Sequence, residues 1–113
     1  MADSARPISQ ELLDNLVRQV VQAVRPLRII LFGSAARGQV GPHSDLDVLV
    51  VMPDGSHRGQ TAEAIYLGLG GIGRPTDVVV ATLSDLSRLH SNPYYVIKRA
   101  LEEGRELYRD AAR

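Results

Sequence analysis

Asp45, Asp47 and Asp77 each stand at the mouth of an apolar segment, and a glycine–serine pair precedes all three. The chain reads Leu31-Phe32-Gly33-Ser34-Ala35-Ala36-Arg37-Gly38, then Ser44-Asp45-Leu46-Asp47-Val48-Leu49-Val50, then Thr76-Asp77-Val78-Val79-Val80. Carboxylates beside apolar strands are costly unless something positive meets them. Divalent cations and a polyphosphate would meet them well. Residues two apart on a strand point to the same side, about 6.5–7 Å apart along the chain. Asp45 and Asp47 have that spacing. Two-metal sites hold their ions about 3.5–4 Å apart. Asp77, opening another strand, would complete the cluster or accept the proton of an attacking hydroxyl.

Gly33-Ser34 ends one apolar segment and is expected to open a short helix through Ala35-Ala36-Arg37. A glycine at such a turn lets the backbone approach a phosphate closely, and free amides at a helix start attract anions. The Ser34 hydroxyl adds a hydrogen bond. Arg37, about one turn on, offers a planar fork to the same polyphosphate. Taken singly, each residue has a plainer role. Asp45 suits a turn or cap, Asp47 a solvated strand, Asp77 a strand start, and Gly33-Ser34 a tight turn with an exposed arginine. Their combination in this order favours phosphoryl-transfer chemistry.

The elements that must position these residues follow from periodicity and punctuation. Residues 1–8 form a lead-in, and Ser9 suits an N-cap. Leu12, Leu13, Leu16, Val17, Val20, Val21 and Val24 recur at helical spacing until Pro26 ends the helix. Residues 27–32 and 46–52 read as strands, the second apolar enough for burial on both faces. Gly41-Pro42 marks a loop between them, and Pro53-Asp54-Gly55-Ser56 a turn after them. A helix is expected over 60–69, a third strand over 77–81, and a short helical turn capped by Thr82 or Ser84. Asn92-Pro93 opens a last helix to about Glu103, and Gly104 fits its C-cap. Glu106-Leu107-Tyr108 suits a short extended piece. The alternation predicts a small α/β (α+β) domain with a mixed sheet of three or four strands and helices mainly on one face.

Composition narrows the function classes. With 113 residues the chain has room for one domain and no second substrate-binding module. Lys plus Arg and Asp plus Glu balance at 13 each, which disfavours nucleic acid as a partner. Cysteine is absent, excluding disulfides and thiolate zinc sites. No apolar run reaches membrane-spanning length, and the first residues lack a signal-peptide core, so a cytoplasmic protein is expected. His43, His57 and His90 lack metal-binding spacing and read as loop or surface residues. Tyr66, Tyr94 and Tyr95 read as core or interface aromatics. Gly68 to Gly73 lacks the lysine-serine/threonine ending of a P-loop and reads as a connection.

The Gly-Ser element, the paired aspartates and the later Asp77 resemble the nucleotidyltransferase superfamily related to DNA polymerase beta, and within it the minimal nucleotidyltransferases. The resemblance spans about residues 10–108 and includes the ending from Asn92-Pro93 to Leu107-Tyr108. It implies a nucleotidyltransferase domain over 9–108 and a tail over 109–113. It implies that Gly33, Ser34 and Arg37 bind the nucleotide, that Asp45, Asp47 and Asp77 hold two Mg2+ ions, and that Asp77 is also the base. ATP is the implied substrate. The implied acceptor is a hydroxyl on a HEPN-domain toxin, with this chain acting as antitoxin. Two alternatives stand beside it: a non-catalytic module that neutralises a toxin by contact, and nucleotidyl transfer to a small molecule.

Overall fold

Ser9 accepts a hydrogen bond from the Leu12 amide and starts α1 (Gln10–Val24), the first element of a computed structural model that describes residues 8–38, 45–88 and 95–111. The lead-in before residue 8, the Gly41-Pro42 loop, His43, Ser44, His90, Asn92-Pro93, Tyr94 and the last two residues of the tail lie outside the described residues. Helix α1 ends where the sequence requires. Arg25 takes a left-handed conformation, and its amide donates to the Val21 carbonyl. Pro26 bars its predecessor from continuing a right-handed helix.

The remaining elements are β1 (Arg28–Phe32), β2 (Leu46–Met52), α2 (Arg58–Gly68), β3 (Thr76–Thr82), α3 (Leu83–Leu86), α4 (Tyr95–Glu103) and β4 (Arg105–Arg109). The four strands form one mixed sheet in the order β3-β2-β1-β4. Strand β1 runs antiparallel to both β2 and β4, with a register shift at Ile29/Ile30 against β4, while β2 and β3 are parallel. The expected extended piece at 106–108 is therefore a true edge strand.

Side-chain parity sorts the core. Leu46, Val48, Val50 and Met52 of β2 pack with Ile29 and Leu31 of β1 beneath α1 and α2, through Leu13, Leu16, Val20 and Ile65. The alternate residues Leu49 and Val51 pack with Ile30 and Ala81 against Ile97 and Ala100 of α4. The two longer helices thus share one face, and the shorter α4 rides on the other. Asp47 has the parity of Leu49 and Val51, and Asp77 that of Val79 and Ala81. Both aspartates therefore belong to the α4 face.

Polar anchors fix the connections. His57, which looks unremarkable in the sequence, caps α2 by accepting from the Gln60 amide at 3.0 Å. The Tyr66 hydroxyl accepts from the Val78 amide at 2.9 Å and so covers part of the outer edge of β3. Thr82 and Asp85 form a reciprocal capping box at α3. Arg58 pairs with the buried Asp85 carboxylate at 2.7 Å. Burial alone would raise the Asp85 pKa. The Thr82 amide and the Arg58 guanidinium outweigh it and hold the carboxyl below its ordinary 3.8. A carboxylate held low stabilises the fold fully above its ordinary pKa, and this contribution fades as pH falls through the lowered value. Asp85→Asn is expected to cost about 1–3 kcal/mol at pH 7. In urea titrations the gap between wild type and variant should begin to narrow below about pH 3.8 and shrink further as pH falls through the lowered value.

Candidate active site

Strand pairing brings the sequence-predicted residues to one end of the sheet. Asp47 lies second in β2, opposite Phe32 of β1 on one side and Asp77 of β3 on the other. Neighbouring strands are about 4.8 Å apart, so paired residues of like parity project side by side. Asp45 precedes β2 by one residue and is exposed, as is Asp77, while Asp47 is half-buried.

Gly33 follows Phe32 directly and takes a positive φ, a conformation that L side chains resist. A Cβ there would also lie 2.5 Å from Asp47 Oδ2. The carboxylate therefore occupies the space a side chain at position 33 would fill. Glycine is required twice over, by backbone angle and by room. The segment that follows is not the expected short helix. It is a turn, closed by the Arg37 amide on the Ser34 carbonyl at 3.1 Å and the Gly38 amide on the Ala35 carbonyl at 3.2 Å. Gly38, itself left-handed, ends the winding after these two short-range bonds. Arg37 Nη1 lies 4.0 Å from Glu103 Oε1, and Arg99 donates to the same oxygen at 3.1 Å, so the turn is tethered to α4.

The electrostatics centre on Asp47. Burial first, then the charges of Asp77 and Asp45, push the Asp47 carboxyl above its ordinary value. Asp47 thus feels the charges of both neighbours, and a positive charge placed beside it would relieve that repulsion. Among the described residues, no three His, Cys, Asp or Glu side chains are grouped so as to hold a metal ion by themselves. Magnesium characteristically takes one or two carboxylates and fills its shell with phosphate oxygens and water, so an open set of aspartates suits it.

The same face carries residues that sequence reasoning does not connect to the site. Phe32 and Gly33 line a cleft of about 190 Å³ whose other wall is Tyr95, Val96, Arg99 and Glu103 of α4. The spacing of Tyr95, Arg99 and Glu103 by four residues marks one helical face. What the sequence does not reveal is that this face meets the end of β1.

The family model of the nucleotidyltransferase domain matches residues 13–107. Among solved structures, the chain is similar to a provisionally assigned nucleotidyltransferase from Sulfolobus solfataricus, with 19% identity over 88% of this chain and 78% of the other, and a TM-score of 0.59. It is also similar to a toxin–antitoxin structure with AMP-PNP, with 18% identity over 88% of this chain and 75% of the other, and a TM-score of 0.63. A third likeness is to the toxin–antitoxin MntA-HepT, with 19% identity over 91% and 75% of the two chains and a TM-score of 0.57. At these identities the likeness establishes the fold. No curated protein matches the chain. No helix among the described residues is long and apolar enough to cross a membrane.

Proposed function

The chain belongs to the nucleotidyltransferase domain family, and we propose that it transfers AMP from ATP to a hydroxyl on a partner protein. The observation that carries this reading is the seating of Asp47 Oδ2 in the space a Gly33 side chain would take. The carboxylate and the backbone of the Gly-Ser turn then face one small volume. A triphosphate needs both there: amides for its oxygens and a carboxylate to hold its cation.

In this reading the Gly33–Ser34 backbone and the Ser34 hydroxyl hold the phosphates, and Arg37 swings from Glu103 to the same group. The exposed Arg37–Glu103 pair itself is weak. Asp45 and Asp47, with Asp77 as third ligand, would hold two magnesium ions, which when bound neutralise charge on the phosphate oxygens. The acceptor oxygen attacks the α-phosphorus in line. A new phosphorus–oxygen bond forms, the bond to the pyrophosphate oxygen breaks, and the hydroxyl proton passes to Asp77. Asp77 suits that role because it is exposed on the outer strand β3, where an acceptor can reach it. The protein's contribution is positioning and fixed charge.

The similar solved structures include toxin–antitoxin complexes. We therefore take the acceptor to lie on a HEPN-type toxin, with this chain as its cytoplasmic antitoxin. The test is intact-mass measurement of the partner after incubation with ATP and magnesium. A gain of one or more AMP units, absent with Asp45→Ala and Asp47→Ala, is the expected result. A partner that is inhibited yet unmodified would overturn it in favour of neutralisation by contact.

A further inference from the structure

We propose that the cleft between the end of β1 and α4 is the seat of the nucleotide's base, with Tyr95 as its stacking platform. This inference rests on the nucleotidyl-transfer reading and goes beyond it by assigning a place to the part of the substrate that does not react. Four observations carry it.

The first is continuity. Gly33 belongs to both places: it lines the cleft, and its missing Cβ makes room for Asp47. A ligand whose phosphates lie on the Gly33–Ser34 turn has the cleft immediately beside it. The second is size. Pockets for drug-sized ligands start at roughly 300 Å³. The cleft, at about 190 Å³, admits one flat ring system and not a whole nucleotide. The third is surface chemistry. Phe32, Tyr95 and Val96 supply apolar and aromatic walls, while Arg99 and Glu103, paired with each other, add guanidinium donors and carboxylate acceptors to the lining. A purine or pyrimidine wants that combination, with π-faces to cover and polar edges to pair.

The fourth is exposure. Tyr95 is 58% exposed and Val96 48% exposed, although both are large and apolar-faced. Neither is needed to fill the core beneath α4, which Ile97 and Ala100 already fill. A protein partner is a poorer occupant. A specific protein interface buries on the order of 1,200 Å² or more in total, and a cleft of about 190 Å³ is a small part of such a surface.

The test is calorimetric titration of the protein with two probes in the presence of magnesium: the ATP analogue AMP-PNP and inorganic tripolyphosphate. Tyr95→Ala should weaken AMP-PNP binding by about 5- to 150-fold and leave tripolyphosphate binding unchanged. Tyr95→Phe, which keeps the ring, should bind AMP-PNP close to wild type and shows that position 95 tolerates substitution. Unchanged AMP-PNP binding in Tyr95→Ala overturns the proposal, and so does an equal loss for both probes. In either case the nucleotidyl-transfer reading stands, because wild type still binds the polyphosphate. Failure of wild type to bind either probe would overturn both.

Discussion

Asp47→Asn is expected to lower nucleotidyl transfer by about 10²–10³-fold while making the metal-free protein more stable. Both effects have one cause. Asp47 is half-buried beside two further aspartates, and burial together with their charges raises its carboxyl above the ordinary 3.8. A carboxyl whose folded pKa is raised binds its proton more tightly in the native state. Its ionisation therefore costs stability increasingly as pH rises above that ordinary value. Asparagine keeps the shape and removes the charge, so the thermal midpoint of the variant should exceed that of wild type at pH 7, with the difference shrinking toward pH 4. Adding magnesium and AMP-PNP should reverse the order, since only wild type gains the full binding energy. Thermal melts with and without the two ligands, alongside transfer assays, check all three statements. A variant that is both less stable and fully active would remove Asp47 from the chemistry.

Gly104→Ala is expected to be the most damaging single-methyl addition in the described residues. A Cβ at this position would collide with the Ala100 carbonyl oxygen, lie 2.5 Å from Ile30 Cγ2 and approach the Leu31 carbonyl oxygen to 2.8 Å. Two of these three neighbours are main chain and have little freedom to move aside. Overpacking of this kind costs about 1–3 kcal/mol and occasionally more. For a domain near this size each kcal/mol lowers the melting temperature by about 4–8 °C, so a fall of roughly 4–24 °C is expected. Gly71→Ala is the control. Nothing lies within 4 Å of a Cβ there and its φ is not in the left-handed range, so the melting temperature should hold or rise slightly. If both variants melt alike, the close packing of α4 against β1 is not what Gly104 provides.

The case of Gly104 also shows how far the sequence can be read. A glycine closing the last helix is visible as punctuation, and its amide does bond back to the Ala100 carbonyl at 2.9 Å. The sequence suggests a C-terminal cap, whereas the three-dimensional reason is crowding between α4 and β1, which no local pattern encodes. Strand β2 is legible to its last residue because Leu46 to Met52 is apolar at every position but Asp47 and is bounded by Asp45 and Pro53. The near-continuous apolar run hides which face each residue takes. That comes from the partners, and it puts Asp47 on the side of α4. The turn after Gly33 reads as helix because its alanines favour one, while the left-handed Gly38 stops it at once. His57 gives no signal as a cap, since histidine is not among the usual capping residues.

The hydroxyl of Tyr66 on the Val78 amide bears on how another polypeptide can arrive. An unguarded outer strand invites a visitor to lengthen the sheet, and identical chains to stack into fibres. Here the rung next to Asp77 is already taken by a side chain from α2. A visitor would have to evict a phenol before zipping on, so the cheaper approach is from above, over the α4 side of the sheet. The side chain that discourages self-stacking thereby also favours one direction of approach for any polypeptide that docks here.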